Sequence, residues 1–185
     1  MKLKLMKSPF SFYTKLLKTR PIVGNCLSGF VIFGIGDFLC QIMEIKAIKK
    51  SGKIEIKRIL KSCLFGVVVA PYLYMQYGLV VPRLFPGKDL ISKLKGILYA
   101  ITISDSIFNF SYFLFMSLLN KKEFNSSFTN DIMEKFVPVQ MFSIKIWFFL
   151  TSFNFLIIPI HLRVAFDNTL SIFWNMFLSY VENNK

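Results

Sequence analysis

Four long stretches of this chain carry almost no charge, and lysines or arginines bound each of them. Residues 21–42 hold only Asp37, residues 62–82 hold no charged side chain, residues 96–120 hold only Asp105, and residues 146–162 hold only His161. A helix needs roughly 20 mostly apolar residues to cross a hydrocarbon core, within a range of about 17–25. All four stretches fit. The pattern predicts an all-α, polytopic transmembrane bundle with spans at about 21–42, 62–82, 96–120 and 146–162. Little of the 185 residues is left over, so residues 1–185 read as one membrane domain.

The rest of the composition agrees. Hydrophobic residues make up 54%, 22 of them Phe, and the mean hydropathy is +0.53. A soluble domain of this size would expose too much apolar surface to stay monomeric in water. The net charge of +13 is concentrated at ends and loops, beside the apolar stretches: Lys2 to Arg20, Lys46 to Lys61, and Arg83 to Lys95. Cations there meet anionic lipid headgroups, each gaining about 1 kcal/mol. No nucleic-acid-binding motif accompanies the charge, so no such partner is expected. The three cysteines, Cys26, Cys40 and Cys63, have neither the number nor the spacing of a disulfide framework or a metal site. With a single histidine, a zinc site built on imidazoles is excluded.

Residues 1–20 are basic and lack acids, resembling an organelle-targeting segment rather than a secretory signal. Ser8 and Pro9 suit the cap and first turn of a short interfacial helix ending near Arg20 and Pro21. Gly24, Ser28 and Gly36 share one face of the first span and invite close helix packing. Pro71 should kink the second span, and Tyr72, Tyr74 and Tyr77 suit an interfacial belt or a polar seam. Residues 54–61 read as an interfacial lead-in to that span. Lys145 reads as a break between an apolar lead-in at 136–142 and the fourth span. Beyond it, residues 164–181 form a helix that either lies at the surface or enters the membrane as a fifth element. Lysine and arginine are too evenly divided between the two sides to set an orientation.

The intramembrane polar residues are the functional candidates. Asp37 and Gln41 lie four apart on one face, as do Asp105 and Asn109. A carboxylate within a span costs about 2.5–3.5 kcal/mol on insertion scales, which demands a function or a partner. Asp37 either lines a conducting path or pairs with a cation such as Lys145 or Arg163; pairing is favoured, because unpaired charge in lipid is rarely tolerated. Asn154 reads as interhelical glue. Arg163 reads as snorkelling to headgroups or pairing with an acid. His161 confers potential pH sensitivity. Trp147, Trp174 and the tyrosines read as interface anchors. No hydrolase, metalloprotease, P-loop or dinucleotide motif occurs, so neither enzyme activity nor a cofactor is expected.

Several of these residues also form a pattern. Trp147, Asn154-Phe155, Pro159, His161 and Arg163, followed by Trp174-Asn175 and Leu178-Ser179, resemble the signature of the Mpv17/PMP22 family. Tyr13, Leu17 and Pro21, then Gly36-Asp37 and Gln41, resemble its opening. Gly66, Ala70-Pro71, Tyr77, Arg83 and Pro86-Gly87 resemble its middle. The chain departs from the pattern at Ala70, Gln76, Phe148 and Thr151. Because the pattern starts at Tyr13, the resemblance implies that the basic N-terminus is retained as an uncleaved address. It further implies a multi-pass protein of the mitochondrial inner membrane, or alternatively the peroxisomal membrane, acting as a channel for small solutes and in mitochondrial homeostasis. The alternative is a non-conducting protein that organises inner-membrane complexes. A homo-oligomer or a larger membrane complex is compatible with either.

Overall fold

A computed structural model describes residues 9–46, 52–87, 89–120, 126–158 and 163–184. Among them the chain is helical throughout: α1 (Pro9–Thr19), α2 (Pro21–Lys46), α3 (Ile56–Met75), α4 (Val81–Leu84), α5 (Leu90–Tyr99), α6 (Asp105–Leu119), α7 (Ser126–Ile157) and α8 (Arg163–Asn183). Two π-helical segments, Gln76–Val80 and Ala100–Ser104, join α3 to α4 and α5 to α6 without breaking either rod. Four rods are long and apolar enough to cross a bilayer: Pro21–Lys46, Ile56–Leu84, Leu90–Leu119 and Phe128–Asn154.

The rods close into a ring. Following contacts around it, α2 packs on α3, α3 on α6, α6 on α7, α7 on α8, and α8 back on α2. α8 is thus a fifth wall of the bundle; its 21 residues reach about 31 Å, close to the hydrocarbon thickness. The ends of α2, α6 and α8 meet the starts of α3 and α7, so neighbouring rods alternate in direction except α2 and α8, which run parallel. Outward faces carry Leu27, Phe30, Val31, Val68, Leu98 and Phe149, all exposed. In water that surface would be unstable; against acyl chains it is matched.

Glycine sets the tightest crossing. A Cβ on Gly29 or on Gly66 would overlap the carbonyl oxygen of the other, so α2 and α3 meet backbone to backbone. The expected small-residue face of α2 is shared out rather than spent on one neighbour. Gly24 seats Leu17 of α1, Ser28 bonds the Tyr13 hydroxyl, and Gly36 receives α8, where an added Cβ would lie 2.8 Å from Asn175 Cβ.

Two boundaries differ from the sequence reading. α3 begins at Ile56 rather than near 62, so the expected surface lead-in is its first turn and carries Arg58 into the bundle. Lys145 breaks nothing: α7 runs unbroken for 32 residues, and Lys145 sits exposed on its outer side. A lysine stem can cover apolar surface while its ammonium reaches toward the interface, so one exposed cation does not end a long helix. Pro71 does lie inside α3; the Val67 carbonyl four residues back accepts the Cys26 thiol at 3.5 Å instead of a backbone N–H.

Candidate functional site

The interior of the ring is divided lengthwise into a charged cluster at one end and a cavity at the other. The cluster forms where α2 ends and α3 begins. Asp37, Gln41 and Glu44 recur at i, i+4 and i+7, one face of a helix, and that face meets Arg58. Arg58 Nε donates to Asp37 Oδ1 at 2.8 Å; Nη1 and Nη2 donate to the two Glu44 oxygens at 2.7 and 3.1 Å; Nη2 also donates to Ser179 Oγ at 2.9 Å. Ser179 donates in turn to Asp37. Gln41 donates to Asp37 Oδ2 at 2.8 Å and accepts the Glu55 N–H at 2.6 Å, tying the helix start to α2. Asn184 and the Cys40 thiol complete the shell of Glu44. Asp37 has no exposed surface, and Gln41 and Glu44 have almost none.

The partner of Asp37 is therefore Arg58, not Lys145 or Arg163. The guanidinium fork can serve two carboxylates and a hydroxyl at once, which an ammonium cannot do in one plane. A second ion pair lies at the same end. Lys135 of α7 donates to Glu182 of α8 at 2.8 Å, with Asp131 at 3.7 Å, and Asn120 links Glu182 to Lys61 of α3. All five rods are clamped there through polar side chains.

Above the cluster lies an aromatic layer. Phe65 stands edge-on to Phe33 and to Tyr112, with centroids 5.2 Å away in each case, and Phe108 packs 5.9 Å from it. Phe33 and Phe108 face the other half of the interior, a cavity of about 610 Å3. The two π-helical segments flank it. Tyr72 of α3 donates to the Ser104 carbonyl at 3.0 Å, Tyr77 to Asp105 Oδ1 at 3.1 Å, and Tyr99 to Gln76 at 3.3 Å. π segments widen a helix locally and recur at functional sites. Here they bring Tyr77 and Asp105 to the cavity wall. On the opposite side, Asp167 of α8 accepts from Asn154 of α7 at 2.7 Å. Trp147 and Trp174, 5.8 Å apart and edge-to-face, line the cavity instead of anchoring at an interface. Among the tyrosines, Tyr72 and Tyr77 form the polar seam.

The candidates thus fall into three groups. Asp37 and Gln41 belong to the Arg58 cluster and do not line the cavity. Asp105 does line it, whereas Asn109, one turn on, is fully buried and donates to Gln140 of α7 at 2.9 Å. Asn154 touches the cavity wall through Asp167. Pro21 opens α2 and Arg163 opens α8. Phe155 lies in the last turn of α7, and Pro159 and His161 lie outside the described residues. Arg58, Glu44, Lys135 and Glu182 escaped sequence reasoning. The i, i+4, i+7 spacing that adds Glu44 to Asp37 and Gln41 was the available signal.

Comparison with known proteins bears on this arrangement. The Mpv17 / PMP22 family model matches residues 117–179, the end of α6, α7 and most of α8. Protein SYM1 of Debaryomyces hansenii is 28% identical, the match covering 97% of this chain and 91% of that protein. The chain is similar to proteins of the Mpv17 / PMP22 family. Protein sym1 of Schizosaccharomyces pombe is 25% identical over 90% of this chain and 87% of its own, and peroxisomal membrane protein 2 of Bos taurus is 24% identical over 95% and 90%. No solved structure matches. Similarity to membrane proteins and four helices long enough to span together make this a multi-pass membrane protein. Within the matched segment, Trp147, Asn154, Trp174 and Asn175 gather on one stretch of the α7–α8 wall beside the cavity, while Ser179 belongs to the Arg58 cluster.

Proposed function

We propose that this protein passes small solutes across the mitochondrial inner membrane, or alternatively the peroxisomal membrane, and that the structure is its closed form. The observation that carries the reading is axial: a cavity of about 610 Å3 ends at the Phe33–Phe65–Phe108 layer, directly above the Arg58 cluster, inside one closed ring of helices. Aromatic constrictions stop conduction by excluding water, and a paired charge cluster behind one provides a polar path once its partners separate. In this reading Asp105 belongs to the vestibule, and Asp37 and Gln41 belong to the gate. Exposed lysines such as Lys53 and Lys57 face the headgroup region and favour anionic lipid.

Planar-bilayer recording of the purified chain tests this. Conductance is expected in the native protein, with a higher open probability in Phe65→Ala, which removes the centre of the aromatic layer. Silence of both proteins overturns it.

A second reading has its own support. Every carboxylate of the Arg58 cluster is saturated with donors, as befits a rigid scaffold organising inner-membrane complexes. It requires a stable high-mass assembly in mild detergent and no solute flux from liposomes.

A further inference from the structure

We infer that the cavity is a binding site for a small organic monocation, an ammonium group on an apolar body, held by Asp105. The inference deepens the conduction reading by naming the class of solute that occupies the vestibule, but its own test does not depend on flux.

The first support is the balance of charge. The wall carries two carboxylates, Asp105 and Asp167, against one described cation, Lys93. Asp105 sits on the π-flanked side, and its hydrogen-bond partner is a neutral phenol, the Tyr77 hydroxyl at 3.1 Å. A carboxylate inside a membrane bundle needs a countercharge or several strong donors. Asp37 has such a set; Asp105 is given one neutral donor and an open face on the cavity.

The second support is independent of acid placement. Asn175, 4% exposed, forms part of the cavity wall, and its Oδ1 meets no donor among the described residues. Buried amide oxygens are ordinarily satisfied, and an exception calls for an absent partner. Asp105 and Asn175 are both short of the same thing, a hydrogen-bond donor. An ammonium supplies three.

The third is the remainder of the wall. Phe108, Trp147 and Trp174 present aromatic surface to the same space. Aromatic faces attract cations and accommodate the apolar stem that carries one. A solute bearing a carboxylate or phosphate would confront two fixed acids. A coordinated metal ion is not served either, since no group of three His, Cys, Asp or Glu side chains gathers among the described residues.

The chain offers its own reporter, because its two tryptophans, Trp147 and Trp174, both line the cavity. The full chain, in nanodiscs of zwitterionic lipid, is titrated with butylammonium chloride while tryptophan emission is followed. The expected result is a saturable change with butylammonium, binding at least about tenfold weaker for 1-butanol, and no saturation with butanoate. Asp105→Asn should weaken butylammonium about tenfold or more, as loss of a charged acceptor does. If Asp105→Asn does not fold, Asn175→Ala carries the same test, with about a threefold to tenfold loss expected. Equal binding of butanol, or variants that bind like the native chain, overturns the assignment. Displacement by equimolar potassium chloride also overturns it, in favour of a site for bare monovalent ions. Binding without flux in liposomes leaves this site standing and removes the conduction reading; flux without binding does the reverse.

Discussion

Removing Arg58 should cost more stability than any other single truncation in the bundle, and the structure says why. Its guanidinium makes hydrogen bonds of 2.7–3.1 Å to Asp37, both oxygens of Glu44, and Ser179. Arg58→Ala would leave two carboxylates buried without a cation, a situation that costs about 3–5 kcal/mol in soluble proteins. Asp37 keeps Gln41 and Ser179 as donors, and Glu44 keeps Asn184 and Cys40, so the expected loss lies near the lower end, about 3 kcal/mol. Arg58→Lys restores the charge but not the fork, and should recover only part of that loss. The decisive comparison is a triple variant, Asp37→Asn, Glu44→Gln and Arg58→Met, which removes every charge together. If the cost of Arg58→Ala is uncompensated charge rather than lost packing, the triple variant is the more stable of the two despite carrying more changes. Unfolding in mixed micelles, followed by circular dichroism, measures all four proteins. An Arg58→Ala loss below about 0.5 kcal/mol, the range of an ordinary surface change, would refute the reasoning. So would a triple variant weaker than the single one.

Two further outcomes follow from local geometry. Gly36→Leu should separate α8 from α2, because even a Cβ there lies 2.8 Å from Asn175 Cβ and 3.1 Å from backbone atoms of Ile172 and Met176; a cysteine pair placed across that contact should lose its crosslinking. Asp89 caps α5 by accepting the Ser92 N–H at 2.9 Å, and that bond holds its carboxyl below the usual range. A carboxyl lowered on folding contributes stability that is complete above its unfolded value and is lost as pH falls through the folded one. Asp89→Asn should therefore remove a small acid-side dependence of the unfolding midpoint, so that the variant's midpoint changes less than the native one between about pH 5 and pH 2.

The sequence made the membrane fold legible because lipid imposes one rule on the whole chain. Long uncharged runs bounded by cations have few other structures open to them. What composition could not show was which cations belong to the interior. Arg58 sits in a loop-like run of lysines, and Lys135 lies close to a proline, so both look like solvent-facing charge when counted along the chain. Their burial is decided by acids that arrive from elsewhere: Asp37 and Glu44 from the preceding rod, Glu182 from a helix 47 residues downstream. Periodicity sees one helix at a time. Trp147 and Trp174 were misjudged for the same reason, since tryptophan is enriched at membrane interfaces and only the α7–α8 pairing turns these two toward a cavity.

The two ends of the interior handle polar groups in opposite ways, and that contrast carries the functional reading. At the Arg58 end, each buried acid meets a cation, all five rods of the ring contribute, and small residues such as Ser179 fill the remaining acceptor positions. At the cavity end, Asp105 and Asn175 are less fully satisfied, the helices are widened by π segments, and aromatic rings share the apolar surface with aliphatic side chains. Stability needs only the first arrangement. Replacing the cavity lining by aliphatic side chains would satisfy packing at no electrostatic cost, yet Asp105 and Asn175 stand there short of donors. Groups that weaken the apo protein are retained where something else completes them. The expectation is therefore asymmetric: substitutions at the clamped end lower stability and change ligand response little, whereas Asp105→Asn raises stability or leaves it unchanged while weakening binding. A loss of stability on Asp105→Asn comparable to that of Arg58→Ala would mean that both ends serve the fold alone.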